Sequence, residues 1–185
     1  MMLNHYQASP LEQWIEKLFR NRGIRRPEQL TVRELSERFK IEVNYAPMQS
    51  FYMEYFNVHK ICIDSRLSPE EQLEDFLHEL CHALRHAGNQ LIMPRPYVEW
   101  QEWDAHSFQL YAGVPYYMIK NYKLPHLKSE AIDLLALDFG ITHKLAERRI
   151  NQMQRRIFSE LFYSAWKDAV SSRIIVKGVM RRIKY

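Results

Sequence analysis

The stretch Ser68-Pro69-Glu70-Glu71-Gln72-Leu73-Glu74-Asp75-Phe76-Leu77-His78-Glu79-Leu80-Cys81-His82-Ala83-Leu84 decides the fold. It opens as helices open: Ser68 at the N-cap, Pro69 at the first helical position and Glu71 placed to complete a capping box. From there Leu73, Phe76, Leu77, Leu80, Ala83 and Leu84 recur at steps of three and four, which predicts one apolar stripe on a mostly buried helix. Gly88-Asn89 supplies a stop signal. Inside this helix, His78-Glu79-Leu80-Cys81-His82 is an HExxH motif. Two histidines four residues apart share one helix face, so their imidazoles can hold a single zinc ion. Glu79 follows the first of them directly, where a carboxylate can act as catalytic general base on a water at the metal. The reaction this implies is metal-assisted hydrolysis.

A catalytic zinc site takes three protein ligands and keeps a fourth position open. A third histidine in the spacing HExxHxxGxxH is excluded, because Arg85 and Gly88 stand where that pattern needs glycine and histidine. His86 continues the series 78, 82, 86, but it lies about 12 Å along the helix axis from His78, too far to share an ion. It is expected in an outer or surface position. A carboxylate from a second helix remains. Pro94-Arg95-Pro96 breaks the chain, and Tyr97 to Ala112 reads as helical, offering Glu99, Glu102 and Asp104. Glu102 is favoured, because the small Ala105 one turn later lets the two helices approach and Phe108 continues the buried face.

The string HExxH, then Glu102-Trp103-Asp104-Ala105-His106-Ser107-Phe108 leading to Val114-Pro115, resembles the ImmA/IrrE metallopeptidase family. Leu35-Ser36-Glu37-Arg38-Phe39 upstream and Ala136-Leu137-Asp138-Phe139-Gly140-Ile141 downstream extend the resemblance over most of the chain. It implies one zinc ion held by His78, His82 and Glu102, with Glu79 as base. It also implies cleavage of a helix-turn-helix repressor of a prophage or integrative element. The chain departs from the family pattern at Cys81, where glycine is usual, at His106, where asparagine or aspartate is usual, and at Gln109, where alanine is common. His106, Asp104, His86 and Tyr111 are therefore the candidates for orienting a ligand or stabilising the oxyanion.

The rest of the chain bounds this reading. Its 185 residues suit one domain, and a hydrophobic content of 46% is enough for a core. The expected class is α+β, mostly helical and zincin-like, with a small antiparallel sheet flanking the HExxH helix. Helices are expected at Leu11 to Asn21 and Thr31 to Phe39, the latter opened by a Thr31–Glu34 capping box. Strands are expected at Ile41 to Tyr45, Phe51 to Phe56 and Lys60 to Asp64, with a hairpin turn at Asn57 to His59. An edge strand beside the cleft would pair with an extended substrate. Residues 1–140 form the expected peptidase domain, and 141–185 a basic helical segment packed on it, with Ile174-Ile175-Val176 a strand-like run. That segment holds 11 Lys or Arg against 3 acidic residues, so a protein or nucleic-acid contact there competes with a merely solvated face. No apolar run suits a membrane helix and no signal peptide is present, so a cytoplasmic location is expected. Cys62 and Cys81 are the two cysteines and read as core residues. A second functional reading is a zinc-binding regulatory or sensor protein that acts by contact with little turnover.

Overall fold

The structure, a computed structural model, describes residues 3–56, 58–87 and 93–182. It divides into two compact units, residues 8–150 and residues 1–7 with 151–185. The larger unit begins with α1 (Pro10–Asn21) and α2 (Val32–Phe39), followed by β1 (Glu42–Ala46), β2 (Phe51–Tyr55) and β3 (Val58–Asp64). The helices α3 (Pro69–Arg85), α4 (Arg95–Gly113), α5 (Tyr116–Ile119) and α6 (Lys128–Phe139) come next, and then the start of α7 (His143–Arg182). The class is α+β, mostly helical with a three-stranded sheet.

Local chemistry explains the helix starts. At α3 the Ser68 hydroxyl accepts from the Glu71 N–H, and the Glu71 carboxylate accepts from the Ser68 N–H at 2.9 Å. The same reciprocal box opens α1, through Ser9 and Glu12. Thr31 caps α2 but only half of the expected box forms: Glu34 turns its carboxylate to Arg38, at 2.8 Å. A guanidinium one turn away is a stronger partner for a carboxylate than one amide. The expected stop of α3 at Gly88-Asn89 and the hairpin residue Asn57 lie outside the described residues.

The sheet differs from the all-antiparallel expectation in one strand. Its order is β1-β3-β2, with β2 antiparallel and β1 parallel to β3. The chain reverses between β1 and β2 and again between β2 and β3, so β3 regains the direction of β1 and fits beside it. Alternation along a strand encodes which face is buried and not which neighbour it takes. Ile61 and Ile63 of β3 are fully buried, and α3 packs against both β2 and β3. β2 is left as an edge.

α3 also packs along α4, which makes it the centre of the unit. Phe76, Leu77, Leu80 and Cys81 from α3 meet a face of α4 that includes Ala105, Phe108 and Ala112, all fully buried. Small residues permit close approach: a Cβ added to Gly113 would lie 2.9 Å from Leu145 and 3.7 Å from Leu77. Gly140 ends α6 in the left-handed conformation, φ 60°, which glycine adopts without steric cost. The Thr142 N–H then donates to Glu74 on α3 at 2.7 Å, and the Thr142 hydroxyl accepts from Leu145 to cap α7.

Two arginines of the basic segment are committed internally. Arg149 is wholly buried, pairs with Glu12 at 2.7 Å and donates to the Val114 carbonyl at 3.1 Å. In the smaller unit, Arg156 donates to the Tyr6 hydroxyl at 2.7 Å, and the Gln152 amide reaches the same hydroxyl at 3.2 Å. The strand-like run at Ile174 is a correction: α7 stays helical to Arg182, because the helix begun at His143 meets no proline. No helix among the described residues is long and apolar enough to cross a membrane.

Candidate metal centre

One helical turn separates His78 from His82, and both imidazoles turn the same nitrogen to the same place: their Nε2 atoms are 3.2 Å apart. Glu102 reaches across from α4 with one carboxylate oxygen for each, Oε2 at 3.2 Å from His78 and Oε1 at 3.4 Å from His82. The two histidine side chains are largely buried (14% and 11% exposed) and Glu102 is more open (39%). Glu99, the other glutamate considered, is exposed and outside this group.

Burial pushes His82 down to about 4 and also lowers His78, although Glu102 beside them favours the charged forms. At neutral pH both rings are then uncharged and their contacts with Glu102 are not ion pairs. Three metal-ligating side chains thus converge on one point, with no positive charge among them to offset the Glu102 carboxylate, an arrangement that a cation would complete. Two imidazoles and one carboxylate are also the donor set of catalytic zinc sites. The residues present fit the metal.

Glu79 lies beside this group and faces the same cavity, about 1000 Å³ in volume. The walls come from the loop before β2, β2 itself, α3 and the second turn of α4, with Met48, Tyr52, Glu54, Ala83 and Gln101 among them. Burial pushes the Glu79 carboxyl up to about 8; a hydrogen bond from the Tyr52 backbone N–H acts against this, and the nearby Glu102 and Asp75 charges add to it. A carboxylate of that basicity both takes and returns a proton near neutral pH. The Tyr52 contact also orients the strand. Since this N–H points to α3 and not to β3, the cleft-facing edge of β2 carries the backbone polar groups of Tyr52 and, two residues on, of Glu54.

Behind the histidines, the His86 Nδ1 is 2.9 Å from the His82 Nδ1, and the His86 Nε2 is 3.1 Å from Asp104 Oδ2. Arg85 holds both oxygens of Asp104, at 2.7 and 3.1 Å, and its guanidinium lies 4.9 Å above the Trp14 ring. Burial, the largest single influence, would raise Asp104, but the hydrogen bonds and charges of Arg85 and His86 together outweigh it and hold the carboxyl below its usual range. His106 is exposed, with its ring tilted against His78 at 4.8 Å between centroids. Tyr111 lies under the Arg149 guanidinium and does not line the cavity.

Sequence reading had missed two parts of this region. The Tyr52 N–H contact had a weak signal in the edge strand beside the cleft. Ser50 had none: it donates to Asp75 on α3 at 2.5 Å and accepts from the Asp64 N–H at 3.0 Å, fastening the loop before β2 to the helix that carries the histidines.

Comparison with known proteins gives the family. Residues 36–151 match the peptidase family described as the IrrE N-terminal-like domain. The chain is 34% identical to YqaB of Bacillus subtilis (strain 168) over 157 residues, 85% of this chain and 91% of that one. It is also 34% identical over 148 residues to the phage-like element PBSX protein XkdA of the same strain, covering 80% of this chain and 75% of XkdA. A solved structure of a Mycobacterium tuberculosis transcriptional regulator shares the fold, with a TM-score of 0.54 at 18% identity over 76% of this chain. The match spans about half of that regulator (47%). The matched residues 36–151 run from α2 into α7 and contain every residue of the converging group, so the chain belongs to the IrrE N-terminal-like peptidase family.

Proposed function

We propose that this protein is a zinc-dependent endopeptidase of regulatory type that cleaves a helix-turn-helix repressor of a prophage or integrative element. The observation that carries the reading is the convergence of His78, His82 and Glu102 on one point with Glu79 beside it. A metal ion held by those three side chains would polarise the scissile carbonyl and activate a water. Everything else falls to the chain itself.

Glu79 takes the proton from the attacking water and hands it to the leaving amine, a double task open to a carboxylate that faces the cavity beside the converging group. An extended peptide lies along the cleft-facing edge of β2 and pairs with the backbone groups there that Glu79 does not take, which supplies affinity without much demand on side chains. Ser50 keeps that strand in register with α3, so peptide and base hold a fixed distance. Of the earlier candidates, His106 is the one with an exposed ring against a converging histidine, and it is the donor proposed for the developing oxyanion. The substrate class is supported by the family and by the likeness to XkdA, a protein named for a phage-like element.

The test is to incubate the purified protein with a helix-turn-helix repressor of a prophage or integrative element, before and after metal removal. Cleavage should stop when a chelator strips the metal and return on adding zinc. Cleavage that is indifferent to the chelator would count against the reading.

A further inference from the structure

We infer that His86 and Asp104 form a positioning relay that fixes the tautomer and orientation of His82. The inference rests on the metal centre proposed above and concerns what stands behind it.

Only one placement of protons satisfies the distances. The Nε2 of His82 faces His78 and Glu102, so it is the nitrogen that must offer its lone pair to a cation. The ring proton is then on Nδ1, which points at the Nδ1 of His86 at 2.9 Å. Two protonated nitrogens cannot share that contact, so the His86 Nδ1 is the acceptor and its proton sits on Nε2. That nitrogen is 3.1 Å from Asp104 Oδ2, an ionised oxygen that accepts it. The chain runs from His82 to His86 to Asp104 with each proton donated in one direction.

A ligating histidine usually donates its other N–H directly to a carboxylate or carbonyl, which holds the ring and raises its basicity. Here a second imidazole is inserted between ring and carboxylate. The reach across the helix requires it, because Asp104 lies on α4 and is occupied by Arg85. His86 and Asp104 are sealed, with side chains 4% and 7% exposed, so water does not compete for these hydrogen bonds. Cys81, His86 and Asp104 also lie close enough to suggest a second ion site. Arg85 argues against it, as its guanidinium already neutralises Asp104, and burial raises the Cys81 thiol far above its usual range.

The relay predicts that zinc affinity depends on the hydrogen-bonding pattern of residue 86. Zinc would be titrated against a chromophoric chelator in the full chain, comparing wild type, His86→Leu and His86→Gln. Loss of such an outer partner typically weakens metal binding by about 10–100-fold, which is the loss expected for His86→Leu. His86→Gln can both accept from His82 and donate to Asp104, and it should recover most of that loss. Nitrogen-15 spectra of the zinc-loaded wild type should place the proton of His86 on Nε2 and that of His82 on Nδ1. A wild type that binds no zinc overturns the metal centre and the relay together. A wild type that binds zinc while His86→Leu binds it equally well overturns the relay alone. If His86→Leu fails to fold, the spectra decide: a His86 proton on Nδ1 contradicts the relay.

Discussion

The guanidinium of Arg149 meets the carboxylate of Glu12 at 2.7 Å with both side chains closed to solvent, 0% and 3% exposed. The pair joins α1 to the start of α7, and Arg149 also reaches the Val114 carbonyl between α4 and α5. Glu12 serves twice, since its other oxygen accepts from the Ser9 N–H at 2.8 Å. Removing one member of such a pair leaves a buried charge without a partner. Arg149→Leu should therefore cost about 3–5 kcal/mol in denaturant unfolding. The double variant with Glu12→Gln should lose less than Arg149→Leu alone, because the amide is uncharged and its oxygen still caps α1. Equal losses for the two would mean that Arg149 acts by packing only.

Ser50 is a second small residue with a structural task. Ser50→Ala leaves the Asp64 N–H and the Asp75 carboxylate each short of one partner. A loss of about 1–3 kcal/mol is expected. Because the loop it fastens leads into β2, kcat/KM should fall by more than the change in stability explains. Hydrogen exchange at the β2 amides would show the cause directly, with faster exchange at Tyr52 and Glu54 than in the wild type.

Glu79 makes a prediction in pH. Burial raises its carboxyl in the metal-free protein from 4.5 to about 8, so the folded state holds a proton that the unfolded chain has already released. Its penalty on stability is absent below about pH 4.5, grows as pH rises, and is complete above pH 8. Glu79→Gln removes the penalty. The metal-free variant should match wild type at pH 4 and exceed it at pH 8 by roughly 4 kcal/mol, on the order of 10 °C in thermal midpoint. Equal midpoints across that range would show that Glu79 is not desolvated.

Much of this was legible in the sequence, and the reasons are specific. Ser68, Pro69 and the leucine spacing marked α3 because caps and apolar periodicity are local signals. Glu102 stood out through Ala105, whose size permits the approach of α4 that its complete burial now shows. Sheet partnership was not legible, since β1 carries the same alternation whether it runs parallel or antiparallel to β3. Arg149 was counted only among the 11 basic residues of the C-terminal segment, with nothing to set it apart. The signal against that was present: it falls on the apolar stripe of Leu145, Ala146 and Ile150, all buried, where a charge needs an internal partner. The His82–His86–Asp104 chain was half visible, as steps of four along one face gave the histidines. What sequence could not show is that Arg85 would hold Asp104 in line with them.

Glu102→Ala separates the metal from the base. It removes the only carboxylate in the converging group, and zinc affinity should drop by at least 100-fold while the metal-free fold is retained. Fluorescence or chelator competition reads the affinity, and circular dichroism the fold. Tight binding of one zinc by the variant would remove Glu102 from the site.

The most direct measurement is repressor cleavage by zinc-loaded wild type and zinc-loaded Glu79→Gln, side by side at neutral pH. Glutamine keeps the volume and the hydrogen bond to the Tyr52 N–H but cannot take a proton. The account predicts that the variant still binds one zinc and cuts at least about 100-fold more slowly, the scale of a lost general base. A Glu79→Gln protein that cleaves its repressor at the wild-type rate would contradict it.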